Sequence, residues 1–329
     1  MKLSLQKIIT PNIFVATLTF VATIGCWILF YCLHPFFDNV QYRSIPAEIG
    51  RFYAISPLLA NLLSLFIALL ISLLIAHINH RHTYINTRTF LGTFIFLQIS
   101  TGLAITHSDF ISYLSTLLIV FSIHLLLNNY DNKNGVEIVF LSFIFLGTSI
   151  FLVPEYILFI PFIWIALYQI KSISPRIFFA SVIGFIVPWL FIYLCHFLET
   201  NSFNYSPDFI FVFNNLSLMY LYDISLFTYL LAMGIILLFV IFGMYSRMGR
   251  ESVKTRRTLH FFQVMGVGLL LQLIFFSQSI IAFLPLGAAI YALLGSYTFT
   301  HRHSLFYVIL FIILSFVGFI FSIYQLLFY

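Results

Sequence analysis

The sequence predicts an all-α membrane protein, a polytopic bundle of about eleven transmembrane helices. Of its 329 residues, 62% are hydrophobic and only 8% are charged, and the mean hydropathy is +1.07. Soluble domains carry roughly 25% charged residues, so this composition excludes the soluble classes. The apolar residues form continuous runs rather than the period-two alternation of a membrane barrel, which indicates helices.

Short polar links separate the apolar runs and define each helix in turn. They are "THSD", "NYDNKNG", "VPEY", "KSISPR", "SRMGRESVKTRRT", "FSQS" and "HRHS", together with the histidine- and arginine-containing link after residue 77 and two longer loops. A span needs about 20 apolar residues. The predicted spans lie near residues 12–33, 55–77, 89–105, 110–128, 136–153, 156–170, 177–197, 225–245, 260–276, 279–299 and 304–328.

The distribution of basic residues predicts the orientation in the bacterial inner membrane. With the N-terminus in the cytoplasm, only Arg43 and Arg51 fall outside, as the positive-inside rule requires of a correct span count. The residues placed inside are Lys2, Lys7, Arg81, Arg88, Lys133, Lys171, Arg176, Arg247, Arg250, Lys254, Arg256, Arg257 and Arg302. These residues are scattered over short loops, so the net charge of +5 does not indicate a nucleic-acid partner.

Two carboxylates stand in tight outer links. Asp109 in "THSD" and Glu155 in "VPEY" lie too close to the bilayer to reach bulk water, and an acid at such depth needs a polar cavity or a cation. A structural role is equally open, because Asp109 can cap the helix that begins at Phe110 and Glu155 lies in a first helical turn. The sequence leaves both roles open for each acid.

The first outer loop, "HPFFDNVQYRSIPAEIGRFYA", holds further candidate residues. Asp38, Arg43, Glu48 and Arg51 lie on this aromatic segment, and "PAEIGRFYA" is typical of a short interfacial helix that begins at Pro46. A plain juxtamembrane anchor is the alternative. The second long loop, within residues 198–224, has no basic residue, and we expect it to lie along the membrane.

The order of these features resembles a family of multi-pass inner-membrane proteins typical of Bacteroidetes, and through it the membrane core of the GT-C glycosyltransferases. The resemblance rests on the first loop, on "DFISYLSTLLIVFSIHLLL", on "NGVEIVFLSFIFLGTSIFLVPEYILFIPFIWIAL" and on "KSISPR" followed by "IFFASVIGFIVPWLFIYL". It covers roughly residues 1–197. The single transmembrane domain of residues 1–329 then comprises a GT-C-like core (1–197), an outer interfacial loop (198–224) and C-terminal helices (225–329).

The resemblance implies an outward-facing site for a polyprenyl-phosphate-linked sugar in cell-envelope glycan or glycolipid assembly. Carried over by position, Asp38 or Glu48 is the first-loop acid and Asp109 the second acid. Such a carboxylate accepts the proton of the acceptor hydroxyl or holds a divalent metal against the donor phosphate. Arg43 and Arg51 pair with that phosphate, and Glu155 completes the candidate substrate-binding set. Membrane lipids and this sugar donor are the expected partners, and the sequence names no protein partner.

Two other classes of protein remain open. In a transporter or flippase, Asp109, Glu155 and His124 would be buried coupling groups, whereas a scaffold subunit would need none of them. The histidines of "AHINHRH" and "THRH" lack the fixed spacing of zinc ligands, so we predict no metal-binding residues there. No nucleotide-binding or redox motif occurs in the sequence.

Overall fold

The structure, a computed structural model, describes residues 13–33, 57–82, 85, 89–130, 132, 135–170, 174–200, 224–275, 280–301 and 304–328. Within these ranges the regular elements are all helical, so the predicted all-α bundle of about eleven helices is confirmed. The α-helices are α1 (Ile13–Leu33), α2 (Pro57–His82), α3 (Leu91–Gly102), α4 (Phe110–Asn128), α5 (Val136–Leu152), α6 (Phe159–Gln169), α7 (Pro175–Thr200), α8 (Ile224–Met248), α9 (Val253–Phe275), α10 (Ile280–His301) and α11 (Leu305–Phe328). Two 3-10 helices, η1 (Ala104–Thr106) and η2 (Pro154–Leu158), complete the set.

Six of the described helices, α2, α4, α7, α8, α10 and α11, are long and apolar enough to cross a membrane. The protein is therefore an integral, multi-pass membrane protein. The remaining helices pack among these six. Two of them, α3 and α6, have only 12 and 11 residues. At 1.5 Å per residue they extend over about 18 Å and 16 Å, less than the roughly 30 Å of a bilayer core.

The two short helices are each continued by a 3-10 helix at the same end of the bundle. Helix η1 follows α3 and η2 precedes α6, and we call this the outer end, after the predicted orientation. Pro154 favours the second interruption, because a proline disfavours helical geometry at the residue before it. Val153 accordingly adopts an extended conformation, with φ −134° and ψ 90°.

Helices α5 and α7 approach each other through two glycines. A Cβ on Gly147 would lie 2.7 Å from the carbonyl oxygen of Phe185, and a Cβ on Gly184 would lie 2.5 Å from that of Phe140. Membrane helices pack closely where small residues let the backbones meet. This contact holds α5, and therefore the start of η2, against α7.

Helix α10 occupies the centre of the bundle. Every residue from Phe283 to His301 except Gly287 is buried. Its neighbours are α2, α3, α4, α8, α9 and α11. The two outer hairpin turns, α3–η1–α4 and α5–η2–α6, are positioned around this core.

Candidate functional site

Asp109 is the N-cap of α4. Its Oδ1 accepts the backbone N–H of Ser112 at 3.0 Å, and its Oδ2 accepts the Ser112 hydroxyl. The side chain is fully buried. Asp109 therefore performs the capping role that the sequence left open. Hydrogen bonds donated to both carboxylate oxygens hold the side chain at the N-terminus of α4.

Glu155 reaches the same region from the other hairpin. It lies in the first turn of η2 and is 2% exposed. The charges of Asp109 and Glu155 both act on the phenol of Tyr156. The Tyr156 hydroxyl donates to the carbonyl oxygen of Ala282 in α10 at 2.7 Å, which fixes the ring between the hairpin and the core helix. Two carboxylates that are 46 residues apart in the sequence thus lie near enough to one tyrosine to act on it electrostatically.

Hydroxyl groups surround these acids. The hydroxyls of Thr106 and Tyr113 lie 3.0 Å apart, and the buried Thr116 lies close to the Tyr156 phenol. We refer to Thr106, Asp109, Tyr113, Thr116, Glu155 and Tyr156 as the outer polar cluster. Burying polar groups in the membrane is tolerated where they form hydrogen bonds, as Thr106 does with Tyr113, Asp109 with Ser112 and Tyr156 with Ala282.

The outer polar cluster lies deeper than the ends of the neighbouring helices. Ser64 in α2 donates to the carbonyl oxygen of His107, and the His107 ring stacks on Trp27 in α1 with 3.6 Å between ring centroids. Helix α2 begins seven residues before Ser64, and α1 continues six residues beyond Trp27. At 1.5 Å per residue these segments extend about 9–10 Å beyond the level of His107.

Helix α7 likewise extends beyond the second hairpin, α5–η2–α6. The ring of Phe151, at the end of α5, lies 5.7 Å from the ring of Trp189. Helix α7 continues eleven residues past Trp189 to Thr200, which is about 16 Å along its axis. Both acids are therefore recessed below the outer ends of the long helices.

The other candidates on the first outer loop, Asp38, Arg43, Glu48 and Arg51, lie outside the described residues. The helices that bound this loop are described, however. Helix α1 precedes it and contacts His107 through Trp27, whereas α2 follows it and contacts the same residue through Ser64. Both helices that bound the loop thus contact the link that carries Asp109, about 9–10 Å before their outer ends.

Histidines that are far apart in the sequence meet at the opposite end of the bundle. Nε2 of His82 lies 3.4 Å from Nδ1 of His124, and the ring of His77 lies 5.0 Å from that of His124. The described residues contain no group of three histidine, cysteine or acidic side chains arranged to hold a metal. His124 follows Asp109 by about 15 residues along α4, which is roughly 22 Å of helix. The histidines are therefore remote from the outer polar cluster.

Sequence reasoning missed two glutamines that fasten α11 to the outer hairpin. Gln98 in α3 donates to the carbonyl oxygen of Ser315 at 2.8 Å. Gln325 in α11 accepts the backbone N–H of Ala104 in η1, also at 2.8 Å. The available signal was an uncharged polar residue in an otherwise apolar run, which in a membrane indicates an interhelical hydrogen bond.

Comparison of the sequence with protein-family models and with curated proteins found no match, and comparison of the fold with solved structures found none. The fold and the buried cluster define the class: an all-α, multi-pass membrane protein with two recessed carboxylates at one end.

Proposed function

We propose that this protein is a GT-C-like glycosyltransferase of the bacterial inner membrane. It would transfer a sugar from a polyprenyl-phosphate carrier to an envelope glycan or glycolipid on the outer side. The observation that carries the proposal is that both helices bounding the first outer loop contact His107, two residues from Asp109.

These helix contacts support a shared site for the loop residues and the outer polar cluster. The loop supplies both acids and bases, Asp38, Glu48, Arg43 and Arg51, and the cluster supplies Asp109 and Glu155. An arginine guanidinium binds a phosphate through two parallel hydrogen bonds. Arginines that bind the donor phosphate and carboxylates that act on the acceptor hydroxyl are the combination that transfer from a phosphate-linked sugar requires.

In the proposed reaction the acceptor hydroxyl oxygen attacks the anomeric carbon of the donor sugar. The bond between that carbon and the carrier phosphate breaks, and the electron pair leaves with the polyprenyl phosphate. The hydroxyl proton passes to a carboxylate, for which Asp38 or Glu48 is proposed. Asp109, whose oxygens both accept from Ser112, is a fixed negative charge beside the reacting groups.

A divalent metal is the other group that such carboxylates can hold. The described part of the chain does not by itself supply a three-ligand set. The proposal therefore assigns the proton transfer to a side chain and derives no step through a metal.

The test is release of polyprenyl phosphate from a panel of polyprenyl-phosphate-linked sugars by the protein in proteoliposomes. We expect turnover by the wild type and a loss of at least about tenfold in Asp109→Asn, since a positioned charge contributes about that much or more. The matched control is Glu137→Gln, because Glu137 is an exposed acid in the first turn of α5, at the opposite end. Failure of the wild type with every donor would overturn the proposal.

A transporter or flippase is the second candidate, and the recessed position of the acids favours it. Asp109 and Glu155 lie at the ends of interrupted helices, about 9–16 Å inside their longer neighbours. Proton-coupled transport would use the acids as protonation sites. In the same proteoliposomes this function predicts proton flux that Asp109→Asn and Glu155→Gln abolish, without release of polyprenyl phosphate.

A further inference from the structure

Basic side chains from three helices gather at the inner end of the bundle, opposite the outer polar cluster. The charges of Arg81 in α2 and Lys254 in α9 both act on the ring of His82. Arg81 also acts on the ring of His124 in α4, which lies 5.0 Å from that of His77. These side chains form one connected set, which we call the inner basic cluster: His77, Arg81, His82, His124 and Lys254.

Tyr130 holds the basic residues of α9 beside this cluster. Nζ of Lys254 and Cζ of Arg257 each lie 6.0 Å from the centroid of its ring, and Arg257 donates to its hydroxyl at 3.4 Å. The attraction between a cation and an aromatic ring extends to about 6 Å. Because Tyr130 follows closely after α4, this contact brings the start of α9 to the end of the helix that carries His124.

No carboxylate of the described residues neutralises the inner basic cluster. The groups whose charges act on His82 and His124 are all histidine, arginine or lysine side chains. Of the described acids at this end, Glu251 forms an ion pair with Arg247, and the exposed Glu137 is not among those groups. A set of like charges without a counter-charge attracts an anion. The adjoining links outside the described residues add two bases and one acid, Arg88, Lys133 and Asp131.

The lipid-facing stripe of α2 leads directly to this cluster. Phe66, Leu70 and Leu73 are 60%, 37% and 53% exposed, and they follow one another at about one helical turn. The next two turns of the same stripe bring His77 and Arg81, which are both exposed. At 1.5 Å per residue, Arg81 lies about 12 Å beyond Leu73. The apolar part of the stripe therefore faces lipid chains, and its inner end faces the lipid head groups.

We propose that the inner basic cluster binds the phosphate of an anionic phospholipid whose acyl chains lie along the exposed apolar stripe of α2. The guanidinium of Arg81 pairs with the phosphate oxygens, the exposed ring of His77 donates an N–H to them, and Lys254 adds a second positive charge. Basic pockets between membrane helices on the cytoplasmic side bind lipid head groups in this way. The proposal does not depend on the proposed transferase, whose site is at the outer end.

The experiment uses the full chain in phosphatidylcholine nanodiscs that contain a trace of photoactivatable phosphatidylglycerol. A phosphatidylcholine probe with the same acyl chains is the reference, because both lipids carry a phosphate but only phosphatidylglycerol has a net charge. We expect the phosphatidylglycerol probe to crosslink to α2 with a preference of about 25-fold, since each nearby arginine or lysine contributes about fivefold. Arg81→Gln and Lys254→Gln should each lower this preference about fivefold, and the double variant should abolish it.

The matched control is the double variant Arg176→Gln, Arg250→Gln. Both arginines are exposed and neither is among the groups that act on the cluster, so the variant loses the same charge without changing the site. It should keep the wild-type preference. All four substituted side chains are exposed, and thermal unfolding should therefore be close to that of the wild type. An equal loss of preference in the control would assign the effect to general surface charge and overturn the proposal.

Free phosphate offers the same chemistry as the lipid head group. Inorganic phosphate should displace the phosphatidylglycerol probe no better than potassium chloride at the same ionic strength, because it lacks the acyl chains that contact α2. Specific displacement by inorganic phosphate would identify a soluble ligand and overturn the assignment to a lipid. Equal crosslinking of the two lipid probes to the wild type would overturn the site itself.

Discussion

At the scale of single residues, the Asp109 side chain is both the N-cap of α4 and fully buried. Both of its oxygens accept from Ser112, and the residue is fully buried. The sequence alone predicted the cap, because an aspartate before an apolar run is a standard helix start. It did not predict that Glu155 would lie near the same tyrosine, since no local pattern encodes a contact between two hairpins.

The cap predicts how substitutions at Asp109 change stability. Asp109→Asn keeps an acceptor for Ser112 and should lower the free energy of unfolding by a few tenths to about 1 kcal/mol. Asp109→Ala leaves buried donors without an acceptor and should lower it by about 1–3 kcal/mol. Denaturant titration of the purified protein in detergent measures both, with the exposed Glu137→Ala as the control expected within about 0.5 kcal/mol. Equal losses in the two Asp109 variants would contradict the cap.

At the scale of helices, the hydropathy of the sequence predicted where each α-helix lies. It did not predict where an α-helix gives way to a 3-10 helix. The predicted span 110–128 coincides with α4, because polar residues mark both of its ends. The predicted spans 89–105 and 156–170 each include part of a 3-10 helix, because apolarity does not report the backbone hydrogen-bond pattern. Helix α9 begins at Val253 rather than near residue 260, since Lys254, Arg256 and Arg257 lower the hydropathy of its first turns without breaking the helix.

The close approach of α5 and α7 gives a prediction at this scale. Gly184→Ala places a methyl group 2.5 Å from the Phe140 carbonyl oxygen, so the two backbones must separate. We expect a loss of about 1–3 kcal/mol in unfolding free energy, the usual effect of overpacking. Gly234→Ala is the internal control, because its methyl group meets no atom within 4 Å. A stable Gly184→Ala variant would show that this helix pair is loosely packed.

At the scale of the whole molecule, the predicted orientation assigns each loop to one side of the membrane. Thirteen of the fifteen basic residues are placed inside, so reporter fusions after Asn132 and Val253 should report the cytoplasm. A fusion after Asn204 should report the periplasm. An external reporter at Val253 would contradict the span count.

The central position of α10 has a consequence for biosynthesis. This helix is the least hydrophobic of the six long apolar helices and the most buried, and it follows nine of the described α-helices in the chain. These nine helices are therefore synthesised before the one around which several of them pack. Until α10 is inserted, the helix surfaces that contact it in the folded protein lack their partner. A nascent chain stalled after Phe275 should be a preferred substrate of membrane proteases, whereas one stalled beyond His301 should resist them.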